Sequence, residues 1–231
     1  MKAPYQKSLG LLATGILLTL SSPGAAQTIF VENFNGFTAP AGNFNGGQFQ
    51  SGSAVAFSGS LPGWGNSGDG TVHAVDHANV FANGINNPRD FAVMFWHNNV
   101  ITQSSAAAGS NIVGAAYEVS FSASPAVYQA PSQQTTTDGL LIDVLRGDNS
   151  VLATHTYLPG AWAGTINLAA AGFSYTGDGT GDVRLRVGPS AFNSGRFGGA
   201  IDNLSLSQVP EPSAFLLALG GIGLIARRKR A

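Results

Sequence analysis

The chain has 231 residues, 44% of them hydrophobic and only 10% charged, with 31 glycines, 11 prolines and no cysteine. That balance excludes a charged disordered tail, a coiled coil, a disulfide-stapled mini-domain, a cysteine-held zinc and a thiol nucleophile. The formal charge of −1 conceals an acidic middle: between Gln27 and Val209, five arginines and no lysine face eleven acids, a formal charge of −6. Such a body does not suit nucleic acid, whose binding draws on neutralised phosphates.

Residues 1–26 read as a secretory signal peptide. Lys2 and Lys7 form a positive start, Leu9 to Leu20 an apolar stretch, and Gly24 and Ala26 the small residues of a cleavage site. Signal peptidase is the processing partner this implies. An exported chain without cysteine must draw its stability from a core.

Residues 27–208 read as β structure. Tyr117 to Ser122 and Val183 to Val187 alternate apolar and polar side chains, and Thr28 to Phe34, Ala54 to Phe57, Thr71 to Val75, Phe91 to Trp96, Leu140 to Leu145, Val151 to Tyr157 and Ala200 to Leu206 are further strands. Turn signals separate them, among them Leu61-Pro62-Gly63, Asn66 to Gly70, Gly147-Asp148-Asn149 and Gly177 to Gly181. No body segment repeats its apolar residues every 3.6 positions. Short strands over this length without a linker predict a single two-sheet sandwich, an all-β fold.

Candidate sites in this body are few. Trp64 follows Pro62-Gly63 and Trp162 follows Pro159-Gly160-Ala161, so each indole stands by a turn, where an exposed ring is a flat platform for a sugar. Trp96 continues the apolar run from Phe91 and reads as core. His73 and His77 on one strand would lie roughly 13 Å apart, too far to share a zinc. Residues 177–182 carry Asp178 and Asp182 but lack the order of an EF-hand, and read as a flexible loop. No nucleophile elbow, zinc-protease or phosphate-loop motif is present, and Glu32 and Glu118 are the only glutamates before residue 211. The body is read as non-enzymatic; the alternative is a carbohydrate-binding module for extracellular polysaccharide, and behind it a glycan-acting hydrolase, since the separation of two carboxylates is a property of the fold.

Glu32 shares strand parity with Phe30 and Phe34, and Asp202 with Leu204 and Leu206. Each carboxylate is thus expected to face inward and to need a partner: a hard cation, a loop amide or an arginine.

The C-terminus has three parts. Val209 to Ser213 is a proline-rich polar spacer, Ala214 to Ala226 an uncharged run, and Arg227, Arg228, Lys229 and Arg230 a basic cluster. Thirteen helical residues cover about 20 Å, short of a hydrocarbon core of about 30 Å, so the run enters a membrane but is marginal as a permanent span. The basic cluster favours the cytoplasmic side and leaves the body outside.

Val-Pro-Glu-Pro-Ser, the glycine-containing run and Arg-Arg-Lys-Arg together resemble the C-terminal sorting signal of PEP-CTERM proteins. The resemblance covers residues 209–231 and implies that Pro210, Glu211 and Pro212 are read by an exosortase that removes the tail. It further implies a Gram-negative bacterium, transient anchoring, and a place at the cell surface or in a biofilm matrix of extracellular polysaccharide. The body resembles jelly-roll sandwiches of the galactose-binding or carbohydrate-binding-module type, on Val31-Glu32-Asn33-Phe34, Pro62-Gly63-Trp64, residues 117–121 and Gly199 to Leu204. This second resemblance implies a structural calcium between the first and last strands, with Glu32 and Asp202 as its ligands. No other cofactor is expected.

Overall fold

Strands form where apolar and polar side chains alternate, as over Tyr117 to Ser122 and Val183 to Val187, and also along apolar runs such as Phe91 to Trp96. The computed structural model describes residues 26–36, 55–67, 72–76, 91–96, 99–125, 139–158, 160, 167–190 and 197–210. Twelve strands lie among them: β1 (Gln27–Glu32), β2 (Val55–Gly59), β3 (Trp64–Ser67), β4 (Val72–Asp76), β5 (Phe91–Trp96), β6 (Val100–Gln103), β7 (Ala116–Ser124), β8 (Leu140–Leu145), β9 (Val151–Tyr157), β10 (Ala169–Thr176), β11 (Arg184–Pro189) and β12 (Phe197–Gln208). Among the described residues there is no helix. The unit that holds these strands spans Ala25–Glu211.

All the pairings are antiparallel, and they build two sheets. One has seven strands in the order β10-β7-β12-β5-β4-β2, with β1 also on β12; the other runs β3-β6-β11-β8-β9. Inward side chains of both sheets form one core, including Val119 and Phe121 of β7, Ile142 and Val144 of β8, Leu185 and Val187 of β11, and Leu204 and Leu206 of β12. This is the expected two-sheet sandwich.

Three strands carry no alternation that would announce them. β3 is Trp-Gly-Asn-Ser and lies partly within what reads as a turn, β6 has four residues, and β10 opens Ala-Ala-Ala-Gly. Their neighbours supply the pairing partners that their own side chains do not specify.

The register along β12 corrects one expectation. β7 pairs with one side of β12, while β5 and then β1 share the other. Between Asp202 and Ser205 the β7 register shifts, and Asn203 takes φ 50°, so an extra residue is accommodated in β12. The bulge resets the parity. Leu204 faces the core, but Asp202 is paired with Ser122, whose neighbours Phe121 and Ala123 are the core-facing residues of β7.

Candidate functional site

At one end of the sandwich the chain enters and leaves side by side. Gln27 opens β1 opposite Gln208, which closes β12. Gln208 in turn lies opposite Tyr117 at the start of β7, and the Val209 amide donates to the Ala116 carbonyl at 2.8 Å. Pro210 follows at once and is exposed. No slack therefore separates the last ladder bond from the Pro-Glu-Pro tripeptide. Glu211, Pro212, the apolar run, Arg227 to Arg230, most of the expected signal peptide and Trp162 lie outside the described residues.

The same end carries the loops 104–115, 146–150 and 177–183, and they are tied together. The Asn111 amide nitrogen donates to Asp178 Oδ1 at 2.9 Å and to the Gly181 carbonyl at 2.6 Å, while its Oδ1 accepts from the Asp178 amide at 2.8 Å. Arg146 Nε reaches Asp178 Oδ2 at 2.7 Å, and the Gly109 amide donates to Asp182 Oδ1 at 2.8 Å. Gly179 has φ 77°, and a Cβ there would stand 2.4 Å from Val113 Cγ2. Residues 177–182 are thus a clamped loop, not the flexible one their composition predicts. The Thr180 hydroxyl, Arg146 and Asn111 hold the Asp178 carboxyl well below the usual carboxylate range.

Below this clamp, Tyr117 and Tyr175 stack with centroids 5.0 Å apart. Tyr117 Oη accepts from the Ile112 amide at 2.9 Å and donates to the Gly109 carbonyl at 3.0 Å, and the Tyr175 hydroxyl donates to the Ser110 carbonyl. Burial, then the neighbouring Tyr117 and Asp182, push the Tyr175 hydroxyl above its ordinary range.

The proposed cation ligands do not converge. Glu32 pairs with Leu204 and therefore faces the core, whereas the bulge places Asp202 on the opposite face of the same sheet. Glu32 Oε1 accepts from the Phe34 amide at 2.8 Å and Oε2 from Trp64 Nε1 at 3.0 Å. Asp202, 1% exposed, accepts from the Asn203 amide at 2.6 Å and from its side-chain nitrogen at 3.2 Å. Among the described residues no three His, Cys, Asp or Glu side chains group as metal ligands. A calcium joining Glu32 to Asp202 is thus at odds with the register.

Trp64 also needs correcting as a surface platform. It is 8% exposed and packs against Phe30 and Phe34, with ring centroids at 6.2 and 5.9 Å. Its indole belongs to the core, and its N–H is satisfied by the one carboxylate that faces inward beside it.

One arrangement was not visible in the sequence. Gly65, Thr102, Arg186, Asp143 and Thr154 are successive register partners across all five strands of the smaller sheet. Arg186 donates to Asp143 Oδ2 from Nε at 2.9 Å and from an η nitrogen at 2.6 Å, and the Thr154 hydroxyl donates to Oδ1 at 2.6 Å. Asp143 interrupts the apolar string of β8, and that interruption was the only signal.

Residues 208–230 match the PEP-CTERM protein-sorting motif. The motif indicates export and exosortase-mediated membrane anchoring in a Gram-negative bacterium. No curated protein is similar to the chain in sequence. Solved structures similar in shape include the CBM22-1 xylan-binding domain of Xyn10C from Paenibacillus barcinonensis, at 8% identity and TM-score 0.41, covering 80% of this chain and 96% of that one. TmCBM61, solved with β-1,4-galactotriose, has 17% identity and TM-score 0.39 over 72% of this chain and 98% of its own. The arabinose-bound α-L-arabinofuranosidase MgGH51 has 10% identity and TM-score 0.43 over 78% of this chain, which spans only 27% of that enzyme. Likeness this loose carries nothing about what the present chain binds or does.

Proposed function

We propose that this PEP-CTERM chain is an exported, non-enzymatic β-sandwich of the cell surface or biofilm matrix. Signal peptidase removes residues 1–26, the body spans 27–208, and residues 209–231 act as the sorting signal. Before processing, the apolar run enters the membrane and Arg227, Arg228, Lys229 and Arg230 stay on the cytoplasmic side. An exosortase then reads Pro210, Glu211 and Pro212 and removes the tail. The observation that carries this reading is the motif beginning at Gln208, where β12 ends. The test is localisation with and without a co-expressed exosortase. Surface display only with the enzyme supports the reading, and equal display without it overturns it.

A second reading, a binding module for extracellular polysaccharide, is favoured by the polar row across the smaller sheet. Thr102, Arg186 and Thr154 present hydroxyl and guanidinium groups along one line, the pattern of donors and acceptors that sugar hydroxyls match. Pull-down on the producing organism's own polysaccharide tests it. Retention that falls in Arg186→Met or Trp162→Ala supports the module, and no retention of the unaltered protein rejects it.

A further inference from the structure

The described residues include five large apolar side chains that are well exposed, and three stand at the end where the sorting signal leaves. Ile112 is 53% exposed, Val113 71% and Val151 44%; Val31 and Leu158 are the other two, with Leu158 at the opposite end. Ile112 and Val113 form the tip of one turn. That turn is fixed: Tyr117 Oη holds the Ile112 amide, the Gly114 amide donates to the Gly177 carbonyl at 2.9 Å, and Gly179 lies against Val113. An apolar tip locked in this way loses little freedom on docking.

The tether identifies what the tip meets. The last ladder bond is Val209 to Ala116, and Ala116 is only three residues beyond Val113. Residues 210–213 alone separate that bond from the apolar run, a reach of about 18 Å when fully stretched. The headgroup layer takes up about 5–8 Å of it. A tail seated in the bilayer thus holds this end of the sandwich close to the headgroups. A body of formal charge −6 gains no attraction from anionic lipid there, so apolar insertion is the contact open to it.

We propose that the Ile112–Val113 tip dips into the lipid interface while the chain is anchored, orienting the sandwich end-on to the membrane with Pro210 at the headgroup level. This rests on the membrane-anchored reading above. The chain has no cysteine, so single labels are unambiguous. Full-length Val113→Cys and Leu158→Cys, each carrying an environment-sensitive fluorophore, are bound to phosphatidylcholine vesicles with brominated acyl chains and recovered by flotation. The expected result is strong bromine quenching and a blue shift at 113 with neither at 158. Chain that floats but quenches equally at both positions, or at neither, overturns the proposed tip contact alone. Chain that does not float overturns the anchored reading and the tip contact with it.

Discussion

Gln27 and Gln208 are register partners across the β1–β12 ladder, so both ends of the sandwich leave it next to one another. The two expected cleavage sites, after about residue 26 and near Pro210, thus flank a single rung. The intact mass of the surface form should show loss of both flanks. Detection of Arg227 to Arg230 on that form would contradict the sorting reading and leave an uncleaved anchor.

Glu32 is satisfied by the Phe34 amide and the Trp64 indole, and its removal should be felt in the core rather than in cation binding. Glu32→Gln weakens two charge-assisted hydrogen bonds and should cost about 1.5–3 kcal/mol. Urea unfolding should give the same loss with and without chelator. A chelator-sensitive melting curve in the parent that vanishes in Glu32→Gln would restore a cation at this residue.

Asn203 holds the β12 bulge in the left-handed region, φ 50°, where β-branched residues are strained. Asn203→Gly keeps the backbone angle but removes the side-chain donor to buried Asp202 and should cost about 1–3 kcal/mol, while Asn203→Val loses that donor too and should cost about 1–2 kcal/mol more. Equal stabilities of the two variants would show that the strand re-registers at no cost.

Asp178 sets an acid limit on the clamped loop. Hydrogen bonds from Thr180, Arg146 and Asn111 depress its folded pKa below that of the unfolded chain. Its contribution to stability is therefore fully present above the unfolded value of about 3.9, and is lost as the pH falls through the folded value. Asp178→Asn should lower stability at pH 7 and flatten the acid limb of the stability curve. An unchanged acid limb in this variant would assign the effect to other carboxylates.

Much of the sandwich was legible because two-residue alternation records which face of a strand is buried. Strands such as β7 and β11 announce themselves in this way. β3 and β10 do not, since a strand rich in glycine, alanine or turn residues takes its place from the ladder offered by its neighbours. Trp64 looked like a surface residue because a turn precedes it. Only the return of Glu32, 32 residues earlier in the chain, to its indole N–H shows that it is core.

By itself the sequence determined the sorting signal and the strand rhythm, because both are contiguous strings whose meaning is local. The tertiary structure alone decided the phase of Asp202, the meeting of Gln27 with Gln208 and the polar line through Arg186 and Asp143. The physical reason is the same in each case. One inserted residue inverts the parity of everything before it, and which strands become neighbours depends on pairings between segments far apart in the chain.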